Sequence, residues 1–115
     1  MKLYSNEHFI LQRMRDGLTQ HDIAEKLDVT QGFVAQIEGG VRNLTPVFEA
    51  LYPKKLTSIK RNELVYVMLR RLGVTHTEAK KLFGVAARDW NDWISGRKRF
   101  PDNVLNYLQD QLKRK

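Results

Sequence analysis

The 115-residue chain has no cysteine, only three prolines and no apolar run near the roughly 20 residues that span a bilayer. Without cysteine there is no disulfide framework and no thiolate metal site, which suits a reducing compartment. The opening Met1-Lys2-Leu3-Tyr4-Ser5-Asn6-Glu7 lacks the apolar core of a signal peptide, so a soluble, cytoplasmic protein is expected. Strict apolar–polar alternation is absent, which argues against strands. His8, His21 and His76 share no metal-ligand spacing, and nothing resembles the HExxH arrangement. No Ser-His-Asp order, glycine-rich phosphate loop or paired catalytic carboxylates is visible. The reading is a non-enzyme without cofactor or metal. No stretch is long and polar enough to predict disorder.

Hydrophobic residues make up 42% of the chain, enough for one compact domain or two very small ones sharing a core. Net charge is +7, and it is unevenly placed. Residues 1–56 hold seven basic and seven acidic side chains, whereas residues 57–115 hold thirteen and six. A basic half attracts a polyanion, because neutralising phosphates releases condensed counterions. Lys113-Arg114-Lys115 supply three of those charges, so a merely soluble basic surface is the competing explanation.

The apolar residues recur at three and four, predicting helices throughout. A first helix capped by Ser5 carries Phe9, Ile10, Leu11 and Met14 and stops at Asp16-Gly17. Thr19 with Asp22 forms a capping box for a second helix, whose inner face is Ile23, Ala24 and Leu27. Asp28-Val29 turns, and Thr30 caps a third helix with Phe33, Val34 and Ile37 inward. Gly39-Gly40 ends that helix, and Pro46 opens a fourth with Val47, Phe48 and Leu51. The scheme then repeats 56 residues on. Gly17 meets Gly73, Thr19 meets Thr75, Asp22 meets Glu78, Val29 meets Val85 and Gly40 meets Gly96. Ser58 is the expected cap of a helix running to Leu72, and Thr75 with Glu78 is again a capping box. Gly84-Val85 is the second turn, Trp90 and Trp93 point inward, and Pro101-Asp102 opens a last helix. Tyr52-Pro53-Lys54-Lys55-Leu56-Thr57 is the joint, too short and apolar for a free linker.

Each copy reads as a helix-turn-helix, a unit that puts one short helix into the DNA major groove. In the first, Ala24 is small where two helices must approach closely, and Gln20 can donate its amide to a phosphate. Thr30, Gln31, Gly32 and Gln36 make a short polar outer face; glutamine pairs best with adenine. Arg42 and Asn43 follow as phosphate contacts that fix register. The run Leu18-Thr19-Gln20, Ile23-Ala24, Leu27, Val29-Thr30-Gln31, Ile37-Glu38 and Gly40 resembles the Cro/repressor (Xre-type) helix-turn-helix over about residues 5–52. That resemblance implies sequence-specific operator binding through Gln20 and the start of the third helix. It also implies a structural rather than base-reading role for Glu38.

The second copy departs from the pattern. Lys80 stands where the family has its small alanine, and Leu82 where a polar residue is usual. Glu78-Ala79, Gly84, the stretch Ala86 to Trp93, Ser95-Gly96-Arg97 and Pro101-Asp102 nonetheless look like another branch of the superfamily. Arg88 is the leading candidate for guanine readout, with Ala87 beside it; the bland alternative is an ion pair with Asp89 or Asp92. Arg97, Lys98 and Arg99 read as phosphate anchors, with a solvated basic loop as the alternative. His76, early in its helix, can lie near phosphate, although an ordinary surface histidine is the plainer reading. Trp90 and Trp93, three residues apart on one face, are read as core rather than base-stacking residues.

The expected architecture is all-α with about eight helices, as two helix-turn-helix halves, residues 1–52 and 57–115, packed as a pseudo-twofold internal dimer. The partner is double-stranded DNA, with no membrane, bound by a monomer; a homodimer is the alternative. Family dimers set recognition helices about 34 Å apart, so two unlike fused copies predict a non-palindromic site. The small tandem form resembles regulators of phages and conjugative plasmids, and repression by occluding a promoter is the expected action. Two other readings stay open. In one, only the N-terminal half binds DNA and the other half dimerises. In the other, the chain is an interaction protein such as an antitoxin or anti-repressor.

Overall fold

The three-and-four spacing of apolar residues becomes eight helices and no strand in the computed structural model, which describes residues 1–115. They are α1 Ser5–Arg15, α2 Gln20–Leu27, α3 Gln31–Glu38, α4 Pro46–Leu51, α5 Arg61–Leu72, α6 His76–Phe83, α7 Ala87–Ile94 and α8 Asp102–Lys113. The chain divides into two units, Met1–Thr57 with α1–α4 and Ser58–Lys115 with α5–α8. No helix is long and apolar enough to cross a membrane.

In the first unit, Phe9, Ile23, Ala24, Val34, Ile37 and Phe48 are buried together. Local chemistry sets the helix ends that deliver them. The Thr19 amide donates to the Asp22 carboxylate at 2.8 Å, and the Asp22 amide donates to Thr19 Oγ1 at 3.1 Å. This reciprocal box satisfies two donors that a helix start otherwise leaves unpaired. Asp28 then adopts φ 55°, a left-handed conformation that aspartate tolerates, and the chain reverses into α3. Thr30 Oγ1 accepts from the Phe33 amide at 3.1 Å and caps α3. Residues 53–57 belong to this unit. Gln12 Nε2 donates to the Lys54 carbonyl at 2.7 Å, and the Leu56 amide donates to His8 Nδ1 at 3.1 Å.

The second unit buries Val65, Met68, Leu69, Ala79, Trp90, Phe100, Val104 and Leu108. Thr75 and Glu78 again exchange backbone-to-side-chain bonds, at 3.3 and 3.1 Å. Gly84 takes the left-handed turn position that Asp28 fills in the first unit.

Two expected caps are displaced. The residue preceding α1 is Tyr4, not Ser5, and the one preceding α5 is Lys60, not Ser58. Neither supplies a capping side chain. Glu7 and Glu63 reach back instead, accepting the Tyr4 and Lys60 amides at 2.8 Å each. Ile59 therefore lies ahead of α5 rather than on it. Met14 and Val47, expected along apolar faces, are 40% and 56% exposed.

The 56-residue register extends well beyond the turns. Asn6 Nδ2 donates to the Glu38 carbonyl at 2.8 Å, and Asn62 Nδ2 donates to the Ile94 carbonyl at 3.0 Å. Each bond ties the first helix of its unit to the end of the third. Gly40 and Gly96 follow at φ 78° and 86°, and a Cβ on either would sit 3.5 Å from the asparagine amide nitrogen. Glycine is needed there for its positive φ, with the asparagine packed close.

Candidate nucleic-acid interface

In each unit a short helix with an exposed face follows the turn, and a polar loop follows that helix. In the first unit α3 begins with Gln31 and Gly32, both exposed, behind the capping Thr30. In the second, α7 begins with Ala87 and Arg88, also exposed, behind Ala86. The Gln31 and Arg88 side chains enter no hydrogen bond or ion pair, so each is free to reach outward. Neither Asp89 nor Asp92 takes up Arg88. A cation in a helix's first turn opposes the helix dipole by about 0.3–1 kcal/mol, so local stability gives no reason for arginine there.

The loop after each of these helices is held by the same device. The Gln36 carbonyl accepts from the Val41 and Arg42 amides at 3.0 and 3.2 Å, and its side-chain oxygen accepts from Arg42 Nε. The Arg42 guanidinium also lies 5.2 Å from the Phe33 ring centre, a cation–π contact. Asp92, 56 residues on, does the corresponding work. Its carbonyl accepts from the Lys98 amide at 3.0 Å, and its carboxylate takes Arg97 at 3.0 Å and Lys98 at 3.6 Å. The Arg97 hydrogen bond, with the charges of Arg97 and Lys98, holds the Asp92 carboxyl below its ordinary range. Arg99 lies 4.0 Å from Asp102. The loop cations are thus positioned by carboxylates yet remain solvent-facing, Arg97 at 68%, Lys98 at 64% and Arg99 at 75%. Asn43 is exposed and unpaired.

Gln20 and His76 occupy equivalent positions at the start of α2 and α6, and both are half-buried. Gln20 Nε2 donates one hydrogen to Glu38 Oε1 at 3.0 Å. The amide keeps a second hydrogen for another acceptor. His76 Nδ1 accepts from Trp90 Nε1 at 2.9 Å, which in the neutral ring puts the proton on Nε2 as a donor. Burial, and then the Lys80 ammonium, lowers the His76 pKa from 6.5 and favours that neutral form.

Glu38 is buried at 1% exposure and holds the first unit's polar centre. Arg13 grips it with Nε and a terminal nitrogen at 2.6 and 3.0 Å, and also donates to the Leu18 carbonyl at 2.8 Å. In the second unit Lys80 is half-buried, and Ala79, one residue earlier, is the small residue that is completely buried. Trp90 is core, at 1% exposure, and Trp93 packs against it at 6.4 Å between ring centres. No group of three or more His, Asp or Glu side chains converges as a metal cluster would.

Sequence reasoning missed the Asn6/Asn62 and Gln36/Asp92 brackets. The dipeptide Asn-Glu recurs at 6–7 and 62–63 in the same 56-residue register, and it was the available signal for the first. No family model matches the chain, and no curated protein or solved structure matches it.

Proposed function

We propose that this protein is a sequence-specific double-stranded DNA-binding regulator of transcription, of the Xre-type helix-turn-helix kind, in which both units read the major groove. The observation that carries the reading is the repeated bracket. In both units one residue, Gln36 or Asp92, joins an outward helix to a cation-bearing loop and fixes their mutual geometry. That is what DNA reading demands, since base-edge contacts specify only when phosphate contacts hold the register.

The assigned roles follow the chemistry. Gln31 reads adenine and Arg88 guanine, each through two hydrogen bonds, while Thr30, Gly32, Gln36 and Ala87 line the groove. Arg42, Asn43, Arg97, Lys98 and Arg99 meet phosphates. Gln20 and His76 Nε2 donate to the backbone at the two helix starts. A regulator with two unlike readers in one chain recognises a non-palindromic operator without self-association, and blocks a promoter by occupying it. Cytoplasmic location and a phage or conjugative-plasmid operon belong to this reading, by analogy with small tandem regulators.

Selection of bound duplexes from a random DNA library tests it. An enriched asymmetric site with two separate contact blocks is expected. A palindrome would point to a dimer with one reading half, and absence of enrichment to a protein partner in place of DNA.

A further inference from the structure

The second unit carries a groove that the DNA reading does not use. Leu72, Val74, Leu82, Tyr107 and Leu108 form most of it, around a volume of about 320 Å³. Gln111, Arg114 and Lys115 complete the lining. Leu82 is 52% exposed and Tyr107 39%. Single exposed apolar residues are ordinary on any protein, but here two of them line one concavity with three more apolar side chains. Tyr107 is braced there by an edge contact of 5.6 Å with the Phe83 ring. The volume stands at the lower end of the roughly 300–1,000 Å³ typical of ligand pockets, room for one or two anchoring side chains.

Charge selects the occupant. No acidic side chain lines the groove. Arg114 holds the neighbouring Asp110 through Nε alone, at 3.0 Å, which leaves its terminal nitrogens as donors, and Lys115 Nζ donates one hydrogen to the Arg71 carbonyl at 2.9 Å. Lys81 adjoins Leu82, and the whole surplus of seven positive charges lies in this unit. Two copies meeting through this face would bring two units of surplus positive charge together, so the charge disfavours self-association here. Tyrosine and arginine are residue types enriched at protein-binding hot spots, and the leucines and valine beside them shape a pocket for an anchoring side chain. We propose that this groove docks a short acidic segment of another protein, with a large apolar side chain between Leu82 and Tyr107 and flanking carboxylates on Arg114 and Lys115. Leu82 lies six residues beyond His76 on α6, about 9 Å along the axis at 1.5 Å per residue. The groove therefore sits at the far end of α6 from the assigned DNA contact and needs no DNA to be occupied.

A random peptide library displayed on phage, selected against the full chain, tests this independently of DNA binding. The enriched peptides should combine Asp or Glu with one or two large apolar residues. Measured as synthetic peptides by fluorescence anisotropy, they should bind about tenfold or more weakly to Leu82→Asp and to Arg114→Glu. Val47→Ser, at an exposed position in the other unit, should change nothing. Leu82 and Arg114 are both exposed, and circular dichroism of each variant verifies retained helix. Enriched peptides without acidic residues, or acidic peptides indifferent to Leu82→Asp, would overturn the proposal. So would a chain that sediments as a dimer and becomes monomeric on Leu82→Asp, which would assign the groove to a second copy.

Discussion

The two units share a frame and differ in what fills it. At matching core positions the first unit has Ile23 and Val34 and the second has Ala79 and Trp90, so a smaller residue at one position is offset by a larger one at the other. Arg13, Glu38 and Gln20 form a buried polar centre in the first unit. In the second, the equivalent positions hold Leu69, Ile94 and His76, an apolar solution with one histidine–tryptophan bond. What both keep is the set of backbone brackets, namely Asn6 and Asn62, Glu7 and Glu63, Thr19 and Thr75, Gly40 and Gly96. The fold is thus specified by helix ends and ties between helices, while core identities exchange as long as volume and polarity are balanced.

Making the first unit resemble the second should give the largest effect. Arg13→Leu alone leaves the Glu38 carboxyl buried at 1% exposure without its cation, and Glu38→Ile alone strands Arg13; each should cost about 3–5 kcal/mol in urea unfolding. The double variant should recover part of that loss, because a buried ion pair and an apolar pair of similar volume are often equivalent, while the Leu18 carbonyl and the Gln20 amide lose the partners the pair gave them. A double variant as unstable as the sum of the singles would mean that the pair does more than balance itself.

The caps give a smaller, opposite pair of changes. Thr30→Ala removes a bond to the Phe33 amide and should lose about 1 kcal/mol. Its counterpart Ala86 precedes α7 with no side-chain cap, so Ala86→Thr should gain a similar amount. Thermal unfolding of the two variants would resolve opposite shifts.

The smallest effect is the pH response. His8 Nδ1 and His76 Nδ1 each accept an N–H in the folded state, so protonation there turns an acceptor into a donor. Burial is the main cause lowering both pKa values from 6.5; Lys55 adds to it at His8, where Glu7 opposes, and Lys80 adds to it at His76. A depressed histidine pKa means that the unfolded chain binds the proton more tightly. Stability should therefore be full above pH 6.5 and fall as the pH drops below it. His76→Gln, which copies the Gln20 position, should remove part of that decline, and His8→Gln the rest. A decline unchanged in the double variant would place the titrating groups elsewhere.

How much of this was legible follows from distance along the chain. The boxes at Thr19 and Thr75, the start of α4 at Pro46 and the turn glycines involve partners within a few residues, and residue type betrays them. The Gln20–Glu38 bond spans 18 residues and the asparagine ties span 32, so only the folded chain brings them together. Tyr4 and Lys60 were unreadable as caps because their glutamates, not their own side chains, do the capping. Asp92 offered itself in the sequence only as an ion-pair partner for Arg88, four residues earlier, whereas its grip on Arg97 and Lys98 needs the folded loop.

The central claim is that both units read DNA, and the DNA selection repeated on two variants tests it most directly. Gln31→Ala should erase one of the two enriched blocks and Arg88→Ala the other, each weakening specific binding by about 1–3 kcal/mol. If Arg88→Ala returned the same two blocks at the same affinity, the second unit would not be a reader and the two-reader account would be wrong.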